Sequence, residues 1–248
     1  MYFNLKQLFK NIIFLTHSRH PPDAINQKIS SFLLIVLLPF SLLITGCGGG
    51  GTSSATSTYR NTIEGVYGTE YNNQVGLAQI NALTLNNYGH NGSGVKVAVV
   101  DSGIASSHAE FGRTIYGRDF GGSTNGYGSD EDGHGTHVAS IIAGDRDGSG
   151  MRGVAYEATL YDYRVANDAG SFVGLSDDNS FAAVLNQHVT DNIRVSNNSW
   201  GTSNGTSITS ISEATLRSGL SKTITAAKAA IDNGTLFVFA AGNDDNSQ

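Results

Sequence analysis

The 248-residue sequence holds one cysteine, one tryptophan, two methionines and three prolines. A lone cysteine excludes an intrachain disulfide, a disulfide-stapled scaffold and a cysteine-built zinc site. Positive charge is also scarce, with 15 Lys and Arg against 21 Asp and Glu and a formal net charge of −6. Such an acidic balance argues against nucleic acid as a partner. No apolar run reaches the ~20 residues that a membrane-spanning helix needs. Internal repeats, coiled-coil heptads and EF-hand spacing are absent as well. What is present is a loop-rich globular composition, 39% hydrophobic with 31 glycines, long enough for one domain or two.

The N-terminus carries Lys6, Lys10, Arg19 and Lys28, followed by an apolar run from Phe32 to Ile44 interrupted only by Pro39 and Ser41. This is too short to span a bilayer and suits the core of a signal peptide over residues 1–46. Ile44-Thr45-Gly46-Cys47 resembles a bacterial lipobox, in which the cysteine becomes lipidated and opens the mature chain. Removing 1–46 takes away four basic residues and one acidic residue, so the mature part is more acidic still. Residues 47–60 form a tether rich in Gly, Ser and Thr, and such a composition stays flexible. The pattern predicts an exported lipoprotein, anchored through Cys47 at the outer membrane or cell surface of a bacterium. A signal peptide whose cysteine carries no lipid is the plainer alternative.

Residues 61–93 form a polar N-terminal segment with a short helix expected at Val75–Leu83 and a turn at Gly92-Ser93-Gly94. Val95–Val100 is nearly all apolar, as a strand covered on both faces should be. Beyond it, strands at Leu160–Val165, Ile193–Trp200 and Leu236–Ala241 alternate with helices at Asp177–His188 and Thr223–Asn233. Alternation of this kind predicts βαβ units, hence an α/β doubly wound parallel sheet with helices on both faces.

Two stretches carry the chemistry. His134-Gly-Thr-His137-Val-Ala-Ser-Ile-Ile-Ala-Gly144 has apolar positions at helical spacing and a histidine in its first turn. The Val97–Val100 run delivers Asp101 at a strand end, where a catalytic carboxylate is often presented. Together they suggest an Asp-His pair. Two metal ligands at His134 and His137 would lack the glutamate of H-E-x-x-H and a third ligand at a recognisable spacing. His137 is therefore expected to be a packed, hydrogen-bonded histidine. Asp101-Ser102-Gly103 also matches the D-S-G of aspartic proteases, but their chemistry needs a second carboxylate and no second D-[ST]-G occurs.

VAVVDSGI, HGTHVASIIAG, GVAYEATLYDYRV, NNSWG and FAAGN, in that order, resemble the subtilisin-like serine peptidases, the subtilases. The resemblance spans Gly94 to Asn243 and marks 94–248 as a partial subtilisin-like peptidase domain. It implies a serine endopeptidase acting on polypeptide substrates, with Asp101 as orienting carboxylate, His134 as general base and Asn243 in the oxyanion hole. It also implies that the main chain of Asn198, Ser199, Trp200 and Gly201 pairs with an extended substrate. Asn243 as a turn residue and Trp200 as core are the plainer readings of those two positions.

The family's nucleophile lies in a G-T-S-x-[AS]-like turn well after A-A-G-N. Here G-T-S occurs only at Gly51-Thr52-Ser53, Gly201-Thr202-Ser203 and Gly205-Thr206-Ser207, all before Asn243. The resemblance thus implies a domain incomplete at its C-terminus, with the nucleophile serine missing. The lipobox, tether and peptidase domain together resemble the passenger of autotransporter proteases. The competing reading is an inactive surface lipoprotein whose degenerate protease domain binds peptides. The chemistry needs no cofactor. The acidic triplet Asp130-Glu131-Asp132, with Asp145 and Asp147, reads as solvated charge or as a structural calcium site, since hard cations take clustered carboxylates.

Overall fold

The computed structural model describes residues 68–201 and 213–240. Three short helices come first: α1 (Gly68–Asn72), α2 (Val75–Gln79) and α3 (Ala82–Asn87). The single helix expected from Val75 is broken at Asn81, whose φ of 55° is left-handed. Asn tolerates that conformation better than other side chains. Tyr71, Leu77, Ala82 and Leu83 close this segment around a small core of its own.

Five parallel strands follow: β1 (Lys96–Asp101), β2 (Tyr116–Asp119), β3 (Thr159–Arg164), β4 (Val195–Asn198) and β5 (Leu236–Phe239), in the spatial order β2-β3-β1-β4-β5. Between them lie α4 (His134–Ala143), α5 (Asp178–Asp191), α6 (Glu213–Gly219) and α7 (Ser221–Asp232). The α/β parallel architecture predicted from the alternation is present. β1 is central, and its side chains alternate between two cores. Val97 and Val99 pack with Ala139 and Ala143 of α4 and with Leu160. Ala98 and Val100 pack with Tyr161, Tyr163 and Val184 of α5 on the opposite face. That two-sided burial is why the run reads as continuously apolar.

β2 was not expected, because Tyr-Gly-Arg-Asp has no apolar run. It is an edge strand whose backbone lies so close to β3 that a Cβ on Gly117 would stand 2.1 Å from the Asp162 carbonyl. Tyr116 stacks on Tyr161 with ring centroids 5.4 Å apart. α5 starts at Asp177, whose carboxylate accepts the Asn179 and Ser180 N–H groups, a side-chain N-cap. Its buried face meets the small residues of α7, Ala226 and Ala227, through Phe181, Ala182 and Leu185.

His188 of α5 is fully buried. Its Nδ1 lies 2.9 Å from the Val184 carbonyl and its Nε2 2.8 Å from Ser196 Oγ on β4. The carbonyl can only accept, so Nδ1 carries the proton and Nε2 accepts from the serine. Burial pulls the imidazole down to about 4. An unfolded histidine protonates near 6.5, so unfolding takes up a proton between these values. Stability from this group should be complete above about pH 6.5. It should fall by about 1.4 kcal/mol per pH unit towards pH 4. Chemical denaturation across pH 4–7 checks this, and His188→Asn should remove that part of the slope.

Candidate active site

The connection leaving β1 passes β3 to reach β2, and the one leaving β3 passes β1 to reach β4, so the carboxyl ends of these neighbouring strands lie where connections diverge, a position where open α/β sheets commonly bind ligands. Asp101 is the last residue of β1 and its side chain is fully buried. Its Oδ1 accepts the Ser102 N–H at 2.7 Å and lies 2.7 Å from His134 Nδ1. The His134 side chain is 48% exposed. With Nδ1–H donating to the carboxylate, Nε2 is left as the basic nitrogen, and no hydrogen bond ties it to the described residues.

Burial pushes the Asp101 carboxyl up, against the pull of His134 and the Ser102 amide. The hydrogen bond it donates to Asp101 pushes His134 up, against burial, and the charges of Asp101, Asp132 and Asp130 act the same way. A buried carboxylate therefore fixes the tautomer and orientation of an accessible imidazole.

Two glycines make the approach geometrically available. A Cβ on Gly135 would stand 2.2 Å from the Gly103 carbonyl and 3.1 Å from Asp101 Cβ. Gly103 has a φ of 132°, and a Cβ there would stand 2.2 Å from the Ser129 carbonyl. The glycine after His134 thus lets the first turn of α4 rest on the end of β1. Its N–H donates to Ser102 Oγ at 2.9 Å.

α4 is capped from a distance by Asp130, which accepts the Gly133 and Thr136 amides at 2.9 Å each and the Thr136 hydroxyl at 2.6 Å. Burial acts upward on Asp130, but the Thr136 hydroxyl and these amides outweigh it and hold the carboxyl low. Glu131 pairs with the buried Arg164 and accepts from Asn125 at 2.7 Å. Asp132 accepts the His134 N–H at 3.2 Å. Asp145 pairs with Arg113, and Asp147 accepts the Ser149 N–H at 2.9 Å. Among the described residues no group of three or more His, Cys, Asp and Glu side chains could hold a metal ion. His137, expected to be packed and hydrogen-bonded, is exposed on α4. Its i+3 position turns it away from the sheet while Ala139 and Ala143 face inward.

The other predicted positions divide. Asn198 closes β4, and its buried amide donates to the Ser196 carbonyl and hydroxyl oxygens and to the Val238 carbonyl. Its side chain is a structural tie between strands. Trp200 Nε1 donates to the Val100 carbonyl at 2.8 Å, one residue before Asp101, and the ring packs among Phe172, Phe181 and Phe239. Trp200 is a brace under the site. Ser199 Oγ accepts from Asn197 Nδ2, and Gly201 faces open space. Among the described residues no backbone–backbone hydrogen bond involves 199–201. Cys47 and Asn243 lie outside the described residues. Asp130, expected as solvated charge or a calcium ligand, instead caps α4, and the site is also built by Ser102, Gly103, Gly135 and Thr136. Only the D-S-G and H-G-T-H spellings hint at the last four.

The model of the subtilase family matches residues 92–248. The chain belongs to the subtilase family. Subtilisin DY of Bacillus licheniformis is 33% identical over 176 residues, covering 69% of this chain and 56% of that protein. Subtilisin E of Bacillus subtilis (strain 168) is 44% identical over 96 residues, 39% of this chain and 25% of that protein. An extracellular serine protease of Serratia marcescens is 35% identical over 165 residues, 63% of this chain and 15% of that protein. This subtilase therefore spans little more than half of subtilisin DY and smaller parts of the other two.

In a histidine NMR titration, Asp101→Asn should lower the His134 pKa, because the hydrogen bond that raises it goes. Gly135→Ala should produce the same downward shift and lose about 1–3 kcal/mol of stability in chemical denaturation, because the added methyl overpacks the contact with Gly103.

Proposed function

We propose that this subtilase is a serine-type endopeptidase, with Asp101 and His134 as the orienting acid and general base of its triad. The observation that carries the reading is the 2.7 Å contact between Asp101 Oδ1 and His134 Nδ1, which leaves an exposed Nε2 to take a proton. A serine hydroxyl attacks a peptide carbonyl only when such a base removes its proton, and the imidazolium formed is stabilised by the buried carboxylate. His134 then returns the proton to the leaving amine, and in the second half it activates the water that releases the acyl group. The nucleophile is the serine that the family carries in its G-T-S-x-[AS] turn beyond A-A-G-N.

Asn243 is assigned to the oxyanion hole by its place in Ala240-Ala241-Gly242-Asn243. Loss of such a donor costs about 10²–10³ in turnover, a figure known from a subtilisin. The main chain of 199–201, unpaired among the described residues, is the assigned docking edge for an extended polypeptide substrate. With Asn198 and Trp200 turned inward, that edge offers backbone pairing, which many sequences can satisfy. No metal or organic cofactor takes part in this chemistry. Export follows from the leader, in line with the extracellular name of the Serratia relative, and a lipid on Cys47 is the assigned anchor.

The test is hydrolysis of unfolded casein by the purified full-length gene product. His134→Ala should lower kcat by about 10⁶-fold, the size of the corresponding loss in a subtilisin, with the fold retained. Casein left intact by the wild-type protein, or cleavage that survives His134→Ala, overturns the assignment.

A further inference from the structure

β3 carries an anomaly on the face it turns towards α4. Leu160 on that face packs into the core as expected, but the next two positions are Asp162 and Arg164, 0% and 1% exposed. A carboxylate buried in a sheet is costly unless its oxygens are used. Asp162 Oδ2 accepts two backbone amides, Ile104 N–H at 3.1 Å and Gly128 N–H at 2.8 Å. Oδ1 has no hydrogen-bond partner among the described residues.

Those two amides belong to the two loops that build the site. Ile104 lies three residues after Asp101, on the loop leaving β1, and Gly128 lies six residues before His134, on the loop entering α4. The loops also touch each other directly. Ser106 donates both its N–H and its hydroxyl to the Gly128 carbonyl at 3.1 Å. Gly103 sits against Ser129, whose carbonyl and hydroxyl oxygens accept from Arg164 Nη1 at 2.9 and 2.7 Å. β3 therefore reaches up with one anion and one cation and grips consecutive residues of the loop that leads to the Asp130 cap and to His134.

We propose that Asp162 is a positioning residue for the Asp101–His134 pair, its buried carboxylate tying the loop that leaves β1 to the loop that enters α4. It rests on the reading of that pair as acid and base, but the two can fail separately. Asp162 touches neither His134 nor substrate, so it acts only through where it puts the two loops. Burial pushes its carboxyl up to about 7, Arg164 on the same strand acting downward and Asp130 on the α4-entry loop acting upward. The groups acting on His134 itself are Asp101, Asp132 and Asp130.

The experiment follows His134 by histidine NMR in the wild type, Asp101→Asn, Asp162→Asn and Asp162→Ala, with His90, which precedes β1, as internal reference. In Asp162→Ala the His134 pKa should move down and the Nδ1–H resonance should weaken, while the ring signals of His90 stay in place. Asp162→Asn keeps an acceptor oxygen and should restore both signals. If Asp162→Ala does not fold, Asp162→Thr, which suits a strand but is too short to reach both amides, takes its place with the same expected shift. In the full-length protein the Ala or Thr variant should lose about 10²-fold in kcat with KM retained, the size of effect that small misplacements produce. A variant that is destabilised yet leaves the His134 titration and kcat unchanged makes Asp162 merely structural and overturns the proposal. If Asp101→Asn fails to move His134, the reading of the pair falls instead.

Discussion

The structure depends on one close approach, that of the first turn of α4 to the carboxyl end of β1. Asp101 is buried because α4 covers it, and His134 reaches it because Gly135 carries no side chain that would strike Gly103. The same approach packs Ala139 and Ala143 against Val97 and Val99, so apolar burial on one side of β1 drives the chemistry-bearing residues together at its end. Nothing in the pair alone would hold it. An exposed imidazole and a carboxylate gain little from each other in water, and here one partner is kept dry by the sheet.

The charges around the pair are arranged so that few of them are left to wander. Asp130 caps α4, Glu131 balances the buried Arg164, and Asp132 holds the His134 amide. What looks like a loose acidic triplet is a set of three separate ties, each drawing the α4-entry loop into one conformation. Trp200 does the corresponding work from the other side, its indole N–H fixed to the Val100 carbonyl and its ring wedged among three phenylalanines. The stretch at 199–201 thus starts from a rigid support, which the docking role proposed for it would need.

Much of this was legible in the sequence for a physical reason. Strands buried on both faces need unbroken apolar runs, so β1 could be read directly, and the H-G-T-H spelling marked the start of α4. Edge structure was harder: β2 is held by backbone closeness at Gly117 and a tyrosine stack, neither of which leaves a hydrophobic pattern. Asn81 broke an expected helix because a single left-handed backbone position leaves no mark on the apolar periodicity. His137 was expected inside and lies outside, since the pattern fixed the helix but not its rotation about its axis. Asp162 and Arg164 stood in plain view in Leu-Tyr-Asp-Tyr-Arg-Val. Their alternation with tyrosines put both charges on a buried face, which only the neighbouring loops explain.

In the proposed mechanism His134 Nε2 serves as the base for a serine nucleophile of the same protein. Reaction of the full-length gene product with a fluorophosphonate, followed by intact mass across pH 5–9, tests it most directly. One adduct per chain is expected, formed more slowly as His134 becomes protonated and not formed by His134→Ala. An adduct that forms equally well without His134, or no adduct at any pH, would contradict it.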